Sequence, residues 1–390
     1  MAVSWLIPVR NARPWLGACL ASALAESGDG DQVVVVDDGS TDDPHASCPD
    51  DPRVTWITQP PLGIVAALER GRHACRHALI ARLDADDVAL PGRISAQAAL
   101  MRDHRELAVV GGMAQMFHED GAKNEGMQAY VSWVNGLEDH RREILVESPV
   151  FHPAVLMRAD ALDAVGGYRD GDFPEDYDLW LRLVGAGYGV SSVRMPVVRI
   201  RDRSQRLTRT DPRYRREAFE RLKRDWLQSH VLKPDAKIAI WGAGKTGRRW
   251  LRWLLGRGFT VSAVIDGFGA TERQGVSVVA PQALAELELI DPAGGSAGVS
   301  LPASALAAPV GLALDAGGLL LAGGLSDPSD PASVVAPQRF VPASFEPGPG
   351  PVRATGIALS GARDFVHPRG AIEVRFSRAI EGASASAATV

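Results

Sequence analysis

Short apolar runs alternate with helical stretches through the N-terminal part of the chain. Four strand-like runs lie at residues 3–9, 32–36, 54–58 and 80–83, and helices are predicted over 15–25 and 62–75. Runs this short and this continuously apolar are typical of central strands that are covered on both faces. The alternation therefore predicts an α/β fold with a doubly wound, mostly parallel sheet, in which ligands bind beyond the carboxyl ends of the strands.

Three carboxylates follow the fourth run, in the stretch Leu83-Asp84-Ala85-Asp86-Asp87. Pro8 and Asp38 lie at the carboxyl ends of two other runs, so we expect them in the same cleft. Two carboxylates one residue apart on a turn offer the oxygen ligands that Mg2+ or Mn2+ accepts beside water and substrate phosphates. An acidic turn that caps the next helix is the simpler explanation.

A second pair of adjacent carboxylates, Glu175 and Asp176, follows Pro174 at the predicted start of a helix. The helix dipole favours acidic residues in the first turn, so capping of the helix is one explanation for them. Further strands are predicted over 109–117 and 149–157, and the second of these carries His152.

Composition and charge argue against some classes of protein. The net charge is -5 over 390 residues, so there is no excess of basic charge to indicate a nucleic-acid surface. The three cysteines have no metal-ligand spacing and fit a reducing cytoplasm better than a disulfide framework. The N-terminus enters the first apolar run without the basic region or cleavage site of a signal peptide. We therefore expect a cytoplasmic protein that binds no nucleic acid.

Several of these stretches, taken together and in order, resemble the inverting family 2 glycosyltransferases, which have the GT-A fold. The resemblance extends from residue 3 to about residue 210. The matching stretches are Ile7-Pro8-Val9-Arg10-Asn11, Val36-Asp37-Asp38-Gly39-Ser40, Gly63-Ile64-Val65-Ala66-Ala67-Leu68, Arg82-Leu83-Asp84-Ala85-Asp86-Asp87, Pro91-Gly92-Arg93-Ile94 and Glu175-Asp176.

The resemblance implies a role for each matched residue of the donor site. Pro8 and Asp38 would border the nucleoside base, Asp84 would border the ribose, and Arg82 belongs to the same donor-binding set. Asp86 would bind Mg2+ or Mn2+ on the diphosphate. The cofactor expected from the resemblance is therefore a divalent cation.

The same resemblance makes Asp176 the catalytic base, and we expect Glu175, His152 and Arg201 to contact the acceptor or the diphosphate. Family members often have a histidine after the base helix that reaches the diphosphate. Residues 198–209 hold arginines instead, and guanidinium groups suit phosphate oxygens. The implied reaction moves a sugar from a nucleoside-diphosphate sugar to a hydroxyl of a glycan or lipid-linked acceptor in cell-surface glycan assembly. One base and no covalent nucleophile imply inversion in a single displacement.

A basic segment follows this motif region. Residues 199–224 carry eleven basic and four acidic side chains. Three explanations stay open: a solvated helical face, contact with anionic lipid head groups or a phosphorylated lipid acceptor, and contact with the diphosphate. The second would place the protein peripherally at the inner face of the membrane.

A second motif region begins with a strand at residue 237. Gly242, Gly244 and Gly247 follow it in Gly-x-Gly-x-x-Gly spacing, before a helix over 248–255 and a strand that ends at Asp266. This is the sequence context of a Rossmann nucleotide-binding unit. A full dinucleotide fold needs more strands than the sequence offers, so a small structural or regulatory module is favoured over a cofactor site.

The chain is thus predicted to hold a GT-A domain over 1–230, a Rossmann-like module over 236–290 and a low-complexity, disordered tail over 291–390. Gly, Ala, Pro and Ser make up 57 of the last 100 residues. A shifted reading frame would give a similar composition. Within the tail, Pro302 and Pro309 interrupt the apolar stretch 299–325, which argues against a membrane-spanning helix.

Two alternative functions remain from the sequence. The first is an NAD(P)-binding oxidoreductase that acts through residues 242–266. The second is a non-catalytic sugar-nucleotide sensor, against which the adjacent pair Glu175 and Asp176 argues.

Overall fold

The computed structural model describes residues 2–118, 125–266 and 272–279, together with strand segments at 288–290, 296–299, 339–342, 352–360 and 371–378. The chain divides into two compact units, Met1–Trp226 and Leu227–Val390. The predicted domain limits at 230, 236 and 290 stay predictions.

The first unit alternates strands and helices along the chain. Its elements are β1 (Val3–Val9), α1 (Arg13–Ala25), β2 (Gln32–Asp38), β3 (Val54–Gln59), α2 (Ile64–Ala74), β4 (Leu79–Arg82), β5 (Val88–Ala89), α3 (Arg93–Asp103), β6 (Leu107–His118), α4 (Glu125–Asn135), α5 (His140–Glu143), β7 (Leu156–Arg158), α6 (Ala159–Ala164), α7 (Glu175–Gly185), β8 (Gly189–Asp202), α8 (Leu207–Thr210) and α9 (Arg216–His230).

The strands of this unit form an eight-stranded sheet in the order β3-β2-β1-β4-β7-β6-β8-β5. Neighbouring strands are parallel except where β7 meets β4 and β6 and where β5 meets β8. Only β5 and β7 therefore run against the other strands of the sheet. The predicted α/β class and the mostly parallel sheet are confirmed.

The strand register places the carboxyl ends of β1, β2 and β4, which carry or precede the predicted site residues, at one edge of the sheet. Pro8 on β1 pairs with Val36 on β2, and Leu6 on β1 pairs with Arg82 at the end of β4. All residues of β1 and β2 are buried, as the continuous apolar runs predict. The polar residues after these strands therefore lie on neighbouring turns.

Alternate side chains of β1 pack into different layers of the core. Trp5 and Ile7 belong to a cluster that includes Leu16 and Leu20 of α1. Leu6 belongs to a second cluster, which includes side chains of α2, α6 and α7. The period of two along the strand thus places one helical layer on each face of the sheet.

The prediction of a strand over 149–157 is wrong for most of that range. His152–Ala154 form a turn of 3-10 helix, and only Leu156–Arg158 form a strand. Pro153 removes a backbone donor, and the carbonyls of Pro153 and Ala154 accept hydrogen bonds from the buried side chains of Arg93 and Gln97. These carbonyls are therefore satisfied without a strand ladder.

The second unit begins with a small parallel sheet. Its elements are β9 (Lys237–Trp241), α10 (Lys245–Gly256), β10 (Thr260–Ile265), β11 (Glu272–Arg273) and β12 (Val276–Val279). The strand order is β11-β12-β10-β9, with β9, β10 and β12 parallel. β9, α10 and β10 thus form a parallel βαβ arrangement, and its assignment as a Rossmann-like module stays a prediction.

Five further strand segments in this unit are β13 (Glu288–Ile290), β14 (Ser296–Val299), β15 (Arg339–Pro342), β16 (Val352–Ser360) and β17 (Ala371–Arg378). They form a sheet in the order β13-β14-β16-β17-β15. The chain thus has strand segments in a range for which composition predicts disorder. The remainder of 291–390 lies outside the described residues, and the prediction of a disordered tail is untested there. Among the described helices, none combines the length and the apolar content needed to cross a membrane.

Candidate active site

A cavity of about 260 Å³ opens at the edge where β1 and β4 end. Many of the residues predicted from the sequence line it. They are Pro8, Arg82, Asp84, Asp86, His152, Glu175 and Asp176. The convergence joins groups from the strand ends with groups from the start of α7.

Arg82, which is buried, and Asp84 form an ion pair in the lining of this cavity. Arg82 Nη2 lies 2.6 Å from Asp84 Oδ1, and the arginine side chain is 4% exposed. Burial alone would raise the pKa of Asp84, but the Arg82 guanidinium outweighs it and holds the pKa below its usual value. Asp84 is therefore ionised at neutral pH.

Asp84, Asp86 and Asp87 form a tight cluster of carboxylates. Their nearest ligand oxygens all lie within 4.8 Å of one another. Burial raises the pKa of Asp86 and of Asp87, and the neighbouring negative charges raise both further. A cation placed among them would relieve this repulsion.

The cluster fits a hard divalent cation on two grounds. Its donors are carboxylate oxygens, which Mg2+ and Mn2+ prefer. Asp87 Oδ2 is also buried without a hydrogen-bond partner among the described residues. An orphaned buried acceptor of this kind is costly unless a proton or a cation meets it.

Two arginines, one near the end of β8 and one just after it, contact this cluster. Arg203 Nε donates to Asp86 Oδ2 at 2.9 Å, and its guanidinium lies 4.2 Å from the centre of the Trp15 ring. Arg201 donates its backbone N–H to Asp87 Oδ1 at 2.8 Å and its Nε–H to the Asp86 carbonyl at 3.1 Å. Arg201 thus supports the turn, whereas Arg203 binds the carboxylate predicted to hold the metal.

Two further carboxylates of the cavity lining, Glu175 and Asp176, begin α7. Pro174 precedes the helix and provides no side-chain cap, and Asp176 Oδ1 accepts a hydrogen bond from the Tyr177 backbone N–H at 2.7 Å. Burial raises the pKa of Asp176 to about 7, and the negative charge of Glu175 adds to the effect. A carboxylate with this pKa can take up a proton near neutral pH.

Glu175 is held by groups from two other parts of the chain. Tyr214 Oη donates to Glu175 Oε2 at 2.7 Å, and His152 Nδ1 lies 4.0 Å from Glu175 Oε1. Burial raises the pKa of Glu175, although the hydrogen bond from Tyr214 opposes this. Tyr214 also lines the cavity.

His152 lies on the 3-10 turn, where its ring is fixed by a neighbour. His152 Nε2 and Tyr168 Oη are 2.8 Å apart, and the ring packs edge-on against Trp180. Burial, together with the positive charge of Arg82, holds the pKa of His152 well below its usual value. His152 is therefore a neutral hydrogen-bonding group at the cavity wall.

Asp38 is buried at the end of β2, where the end of β3 and the turn before α2 engage its carboxylate. Oδ1 accepts hydrogen bonds from the Gln59 side chain and the Leu62 backbone, both at 2.8 Å. Oδ2 accepts from the Gly63 backbone at 2.9 Å, and Arg10 Nη1 lies 3.6 Å away. Among the described residues Asp38 is not part of the cavity lining. Its contact with a nucleoside base stays a prediction.

Sequence reasoning missed the network that holds the 3-10 turn in place. Arg93, fully buried at the start of α3, donates to the carbonyls of Pro153 at 2.9 Å, Arg82 at 2.7 Å and Val155 at 3.1 Å. Burial, with the nearby charge of Arg82, lowers the pKa of Arg93 to about 9. The motif Pro91-Gly92-Arg93-Ile94 was the signal, but spacing alone does not reveal what the arginine binds.

The basic segment after β8 is partly neutralised by local partners. Arg209 pairs with Asp202 at 2.7 Å, and Arg213 pairs with Asp211 at 3.2 Å. This pairing supports a solvated, ion-paired surface for part of the segment. Contact with a membrane stays a prediction.

In the second unit the glycine-rich turn has the geometry that its spacing predicts. Gly242 has a φ of 98°, and Gly244 precedes the first residue of α10. A Cβ at Gly247 would lie 1.7 Å from the Gly242 carbonyl oxygen, so the helix packs directly on the turn. The Asp266 carboxylate accepts a hydrogen bond from the Ala243 backbone N–H. Asp266 thus stabilises the turn, and nucleotide binding by this unit stays a prediction.

Comparison with known proteins assigns the family. The family described as glycosyl transferase family 2 matches residues 4–166, which carry Asp38, Asp84 and Asp86. Residues 4–166 form a glycosyl transferase family 2 domain. The resemblance noted from the motifs is therefore confirmed for this part of the chain, and the family 2 domain contains most of the residues that line the cavity.

Two relatives of the family 2 domain are named as glycosyltransferases of stated roles. The amylovoran biosynthesis glycosyltransferase AmsE of Erwinia amylovora is 28% identical over 191 residues, which are 48% of this chain and 70% of the relative. The UDP-Gal:alpha-D-GlcNAc-diphosphoundecaprenol beta-1,3-galactosyltransferase of Escherichia coli is 24% identical over 205 residues, which are 51% of this chain and 73% of the relative. Among solved structures, S. aureus TarS 1-349 in complex with UDP-GlcNAc has 15% identity and a TM-score of 0.46, covering 60% of this chain and 68% of that one.

Proposed function

We propose that the first unit transfers a hexose from a nucleoside-diphosphate sugar to an acceptor hydroxyl, with inversion and with a divalent cation. The observation that carries the proposal is that Asp176 lines the same cavity as Asp84 and Asp86. A base and a phosphate-binding cluster thus face one substrate space. Membership of family 2 supports sugar transfer as the reaction.

In the proposed reaction the Asp176 carboxylate takes the proton of the acceptor hydroxyl while the oxygen attacks the anomeric carbon. The new carbon–oxygen bond forms as the bond to the diphosphate oxygen breaks, and the nucleoside diphosphate leaves with the electron pair. Attack opposite the leaving group inverts the anomeric configuration. A base with a pKa of about 7 is well matched to this work near neutral pH.

The negative charge that develops on the leaving diphosphate would be offset by positive groups near the acidic cluster. Arg203 and Arg206 line the cavity, and their guanidinium groups suit the oxygens of a departing diphosphate. Asp86, supported by Asp84 and Asp87, would hold Mg2+ or Mn2+, which offsets the developing negative charge when bound.

Most of the remaining residues predicted from the sequence would contact either the sugar donor or the acceptor. Pro8, Asp38, Arg82 and Asp84 lie at the strand ends and would contact the donor. Glu175 and His152 are at the end of the cavity where Asp176 lies, and would orient the acceptor. Arg201 supports the acidic turn through Asp86 and Asp87, so we place it behind the phosphate site.

We also propose a role in cell-surface glycan assembly, with a glycan or lipid-linked acceptor. Support comes from relatives named for amylovoran biosynthesis and for galactosyl transfer to a diphosphoundecaprenol-linked sugar. Action in the cytoplasm, at the inner face of the membrane, would follow from such an acceptor.

A donor screen tests the proposal directly. UDP, GDP, CDP and dTDP, each with and without MnCl2, are added to the protein while its thermal unfolding is followed. We expect at least one nucleotide to raise the Tm, and to do so more strongly with Mn2+, because a ligand stabilises the state that it binds. The matching sugar nucleotides are then assayed for transfer and hydrolysis. Absence of both nucleotide binding and turnover would overturn the proposal, whereas binding without turnover would favour a sensor.

A further inference from the structure

Arg82 has hydrogen-bond donors that no part of the described chain uses. Its Nη2 pairs with Asp84, but Nε and Nη1 are buried without a partner. The side chain is 4% exposed, and it lines the cavity. Buried guanidinium donors are normally satisfied, because leaving them unpaired carries a desolvation penalty. The pattern therefore points to a ligand that supplies the missing acceptors.

The surroundings of Arg82 indicate which part of a substrate it would meet. Asp84 contacts Arg82 directly on the side of the acidic cluster. The positive charge of Arg82 also lowers the pKa of three other groups of the cavity lining, namely Glu175, Asp176 and His152. Arg82 thus lies within electrostatic reach of both the phosphate-binding cluster and the base. In a single displacement, the group between the leaving phosphate and the attacking hydroxyl is the transferred sugar.

Charge in the site selects among sugars. Asp84 already offsets the positive charge of Arg82, and the carboxyl groups of Glu175 and Asp176 lie within electrostatic reach of Arg82. The other arginines Arg203 and Arg206 act on the acidic cluster through Asp84 and Asp86. A uronic acid would add another carboxylate beside these carboxyl groups, and like charges at short range are unfavourable. Hydroxyl oxygens accept hydrogen bonds without bringing charge.

We propose that Arg82 is a specificity residue for the transferred sugar, donating its Nε–H and Nη1–H to hydroxyl oxygens of a neutral hexose. The inference rests on the proposed glycosyl transfer. It adds the class of the transferred sugar and the residue that recognises this sugar. Arg82 makes no contact with the nucleotide in this arrangement.

Arg82→Lys provides the test, because lysine keeps the positive charge opposite Asp84 but loses the two free guanidinium donors. Calorimetry with Mn2+ gives the Kd of UDP, UDP-glucose, UDP-galactose and UDP-N-acetylglucosamine, or of GDP and GDP-mannose if the protein prefers guanine. The quantity of interest is the ratio of the Kd of the free nucleotide to that of its best sugar nucleotide. We expect Arg82→Lys to lower this ratio by about tenfold or more while the Kd of the nucleotide changes little.

Arg10→Lys is the matched control. Arg10 lines the same cavity near Asp38, where the resemblance places the base of the nucleotide. It should leave the ratio unchanged even if it weakens the binding of both ligands. A thermal melt of each variant shows whether the fold is intact.

An unchanged ratio in Arg82→Lys, or an equal loss for nucleotide and sugar nucleotide, would overturn the inference. A second measurement needs no variant: the wild-type protein should bind UDP-glucose more tightly than UDP-glucuronic acid, or GDP-mannose more tightly than GDP-mannuronic acid. Preference for the uronic acid would also overturn it. Failure of the wild type to bind any nucleotide is a different result, since that would remove the proposed function itself.

Discussion

Arg203 Nε lies 2.9 Å from Asp86 Oδ2, so the carboxylate predicted to bind the divalent cation is hydrogen-bonded to a guanidinium. The same guanidinium stacks on Trp15. A cation that uses Asp86 Oδ2 must displace Arg203, and the diphosphate of a donor offers the arginine a new partner. Metal and nucleotide should therefore bind more tightly together than either does alone.

Arg203→Gln should tighten Mn2+ binding in the absence of nucleotide, because it removes a positive charge from the metal site. We expect the Kd of Mn2+ to fall about twofold to fivefold, as is typical for a partly exposed ion pair. Nucleoside-diphosphate affinity in the presence of Mn2+ should fall. Electron paramagnetic resonance of free Mn2+ measures the first effect and calorimetry the second.

Arg194→Gln is the control for this change. Arg194 pairs with Glu138 at 3.9 Å and does not line the cavity among the described residues, so Mn2+ affinity should stay at the wild-type value. Unchanged or weaker Mn2+ binding by Arg203→Gln would show that the arginine does not compete with the cation.

The pH dependence of transfer should report Asp176. The base works only when ionised, and burial raises its pKa to about 7. The single-turnover rate should therefore rise with pH through about 7 and level off above it. Glu175→Gln removes a neighbouring negative charge, which should lower the pKa of Asp176 and move the inflection to lower pH. A flat profile between about pH 5.5 and 9, or an inflection that moves upward, would contradict this assignment.

Arg93 should be a major source of stability for the cavity wall. Arg93→Lys cannot replace the fork that serves the Pro153, Arg82 and Val155 carbonyls. The Val155 carbonyl keeps the Arg82 backbone N–H at 3.0 Å, but lysine cannot serve the other two as the guanidinium does, so at least one buried carbonyl loses its side-chain donor. We expect the free energy of unfolding to fall by about 2–3 kcal/mol, measured by urea denaturation.

Arg102→Lys, on an exposed part of the same helix, is the matched change for Arg93→Lys. Among the described residues its side chain hydrogen-bonds only to its neighbour Asp103, at 3.2 Å, and the free energy of unfolding should change by less than about 0.5 kcal/mol. Equal effects of the two substitutions would show that the buried network adds no stability.

Two glycines of α10 test the turn in the second unit. A Cβ at Gly247 would lie 1.7 Å from the Gly242 carbonyl oxygen, whereas a Cβ at Gly256 meets no atom within 4 Å. Gly247→Ala should therefore lower protection of residues 237–266 in hydrogen exchange. Gly256→Ala should preserve or raise that protection, because alanine favours a helix by about 1 kcal/mol over glycine. Equal protection in the two variants would show that helix and turn are not in close contact.

The parts of the site that follow strand ends could be predicted from the sequence. Asp84 and Asp86 come directly after a buried strand, and the parallel sheet brings that strand end beside Pro8. Asp176 is also brought to the cavity, although the sequence shows only that it begins a helix. The prediction that Asp176 belongs to the active site rested on the family resemblance and not on the hydrophobic periodicity of the sequence.

Contacts between distant segments could not be predicted in this way. Arg203 and Asp86 are 117 residues apart, and Tyr214 and Glu175 are 39 apart. A run of similar arginines gives no pattern that distinguishes Arg203 from Arg201. The alternation rule also failed at residues 149–157, where buried side chains satisfy the backbone in place of a neighbouring strand.

Asp86→Asn and Asp176→Asn should separate the two carboxylate roles, since asparagine keeps the size of each side chain. Asp86→Asn should weaken Mn2+-dependent donor binding and transfer together. Asp178, the next carboxylate of α7, pairs with Arg182 at 2.7 Å and does not line the cavity among the described residues. It is therefore not expected to replace Asp176.

The single-turnover transfer rate of Asp176→Asn, at saturating donor and Mn2+, tests the proposed chemistry most directly. We expect a loss of about 10²-fold or more while the donor Kd from calorimetry stays close to that of the wild type, because a lost general base affects the chemical step. Transfer at the wild-type rate by a folded Asp176→Asn protein would contradict the assignment of Asp176 as the base.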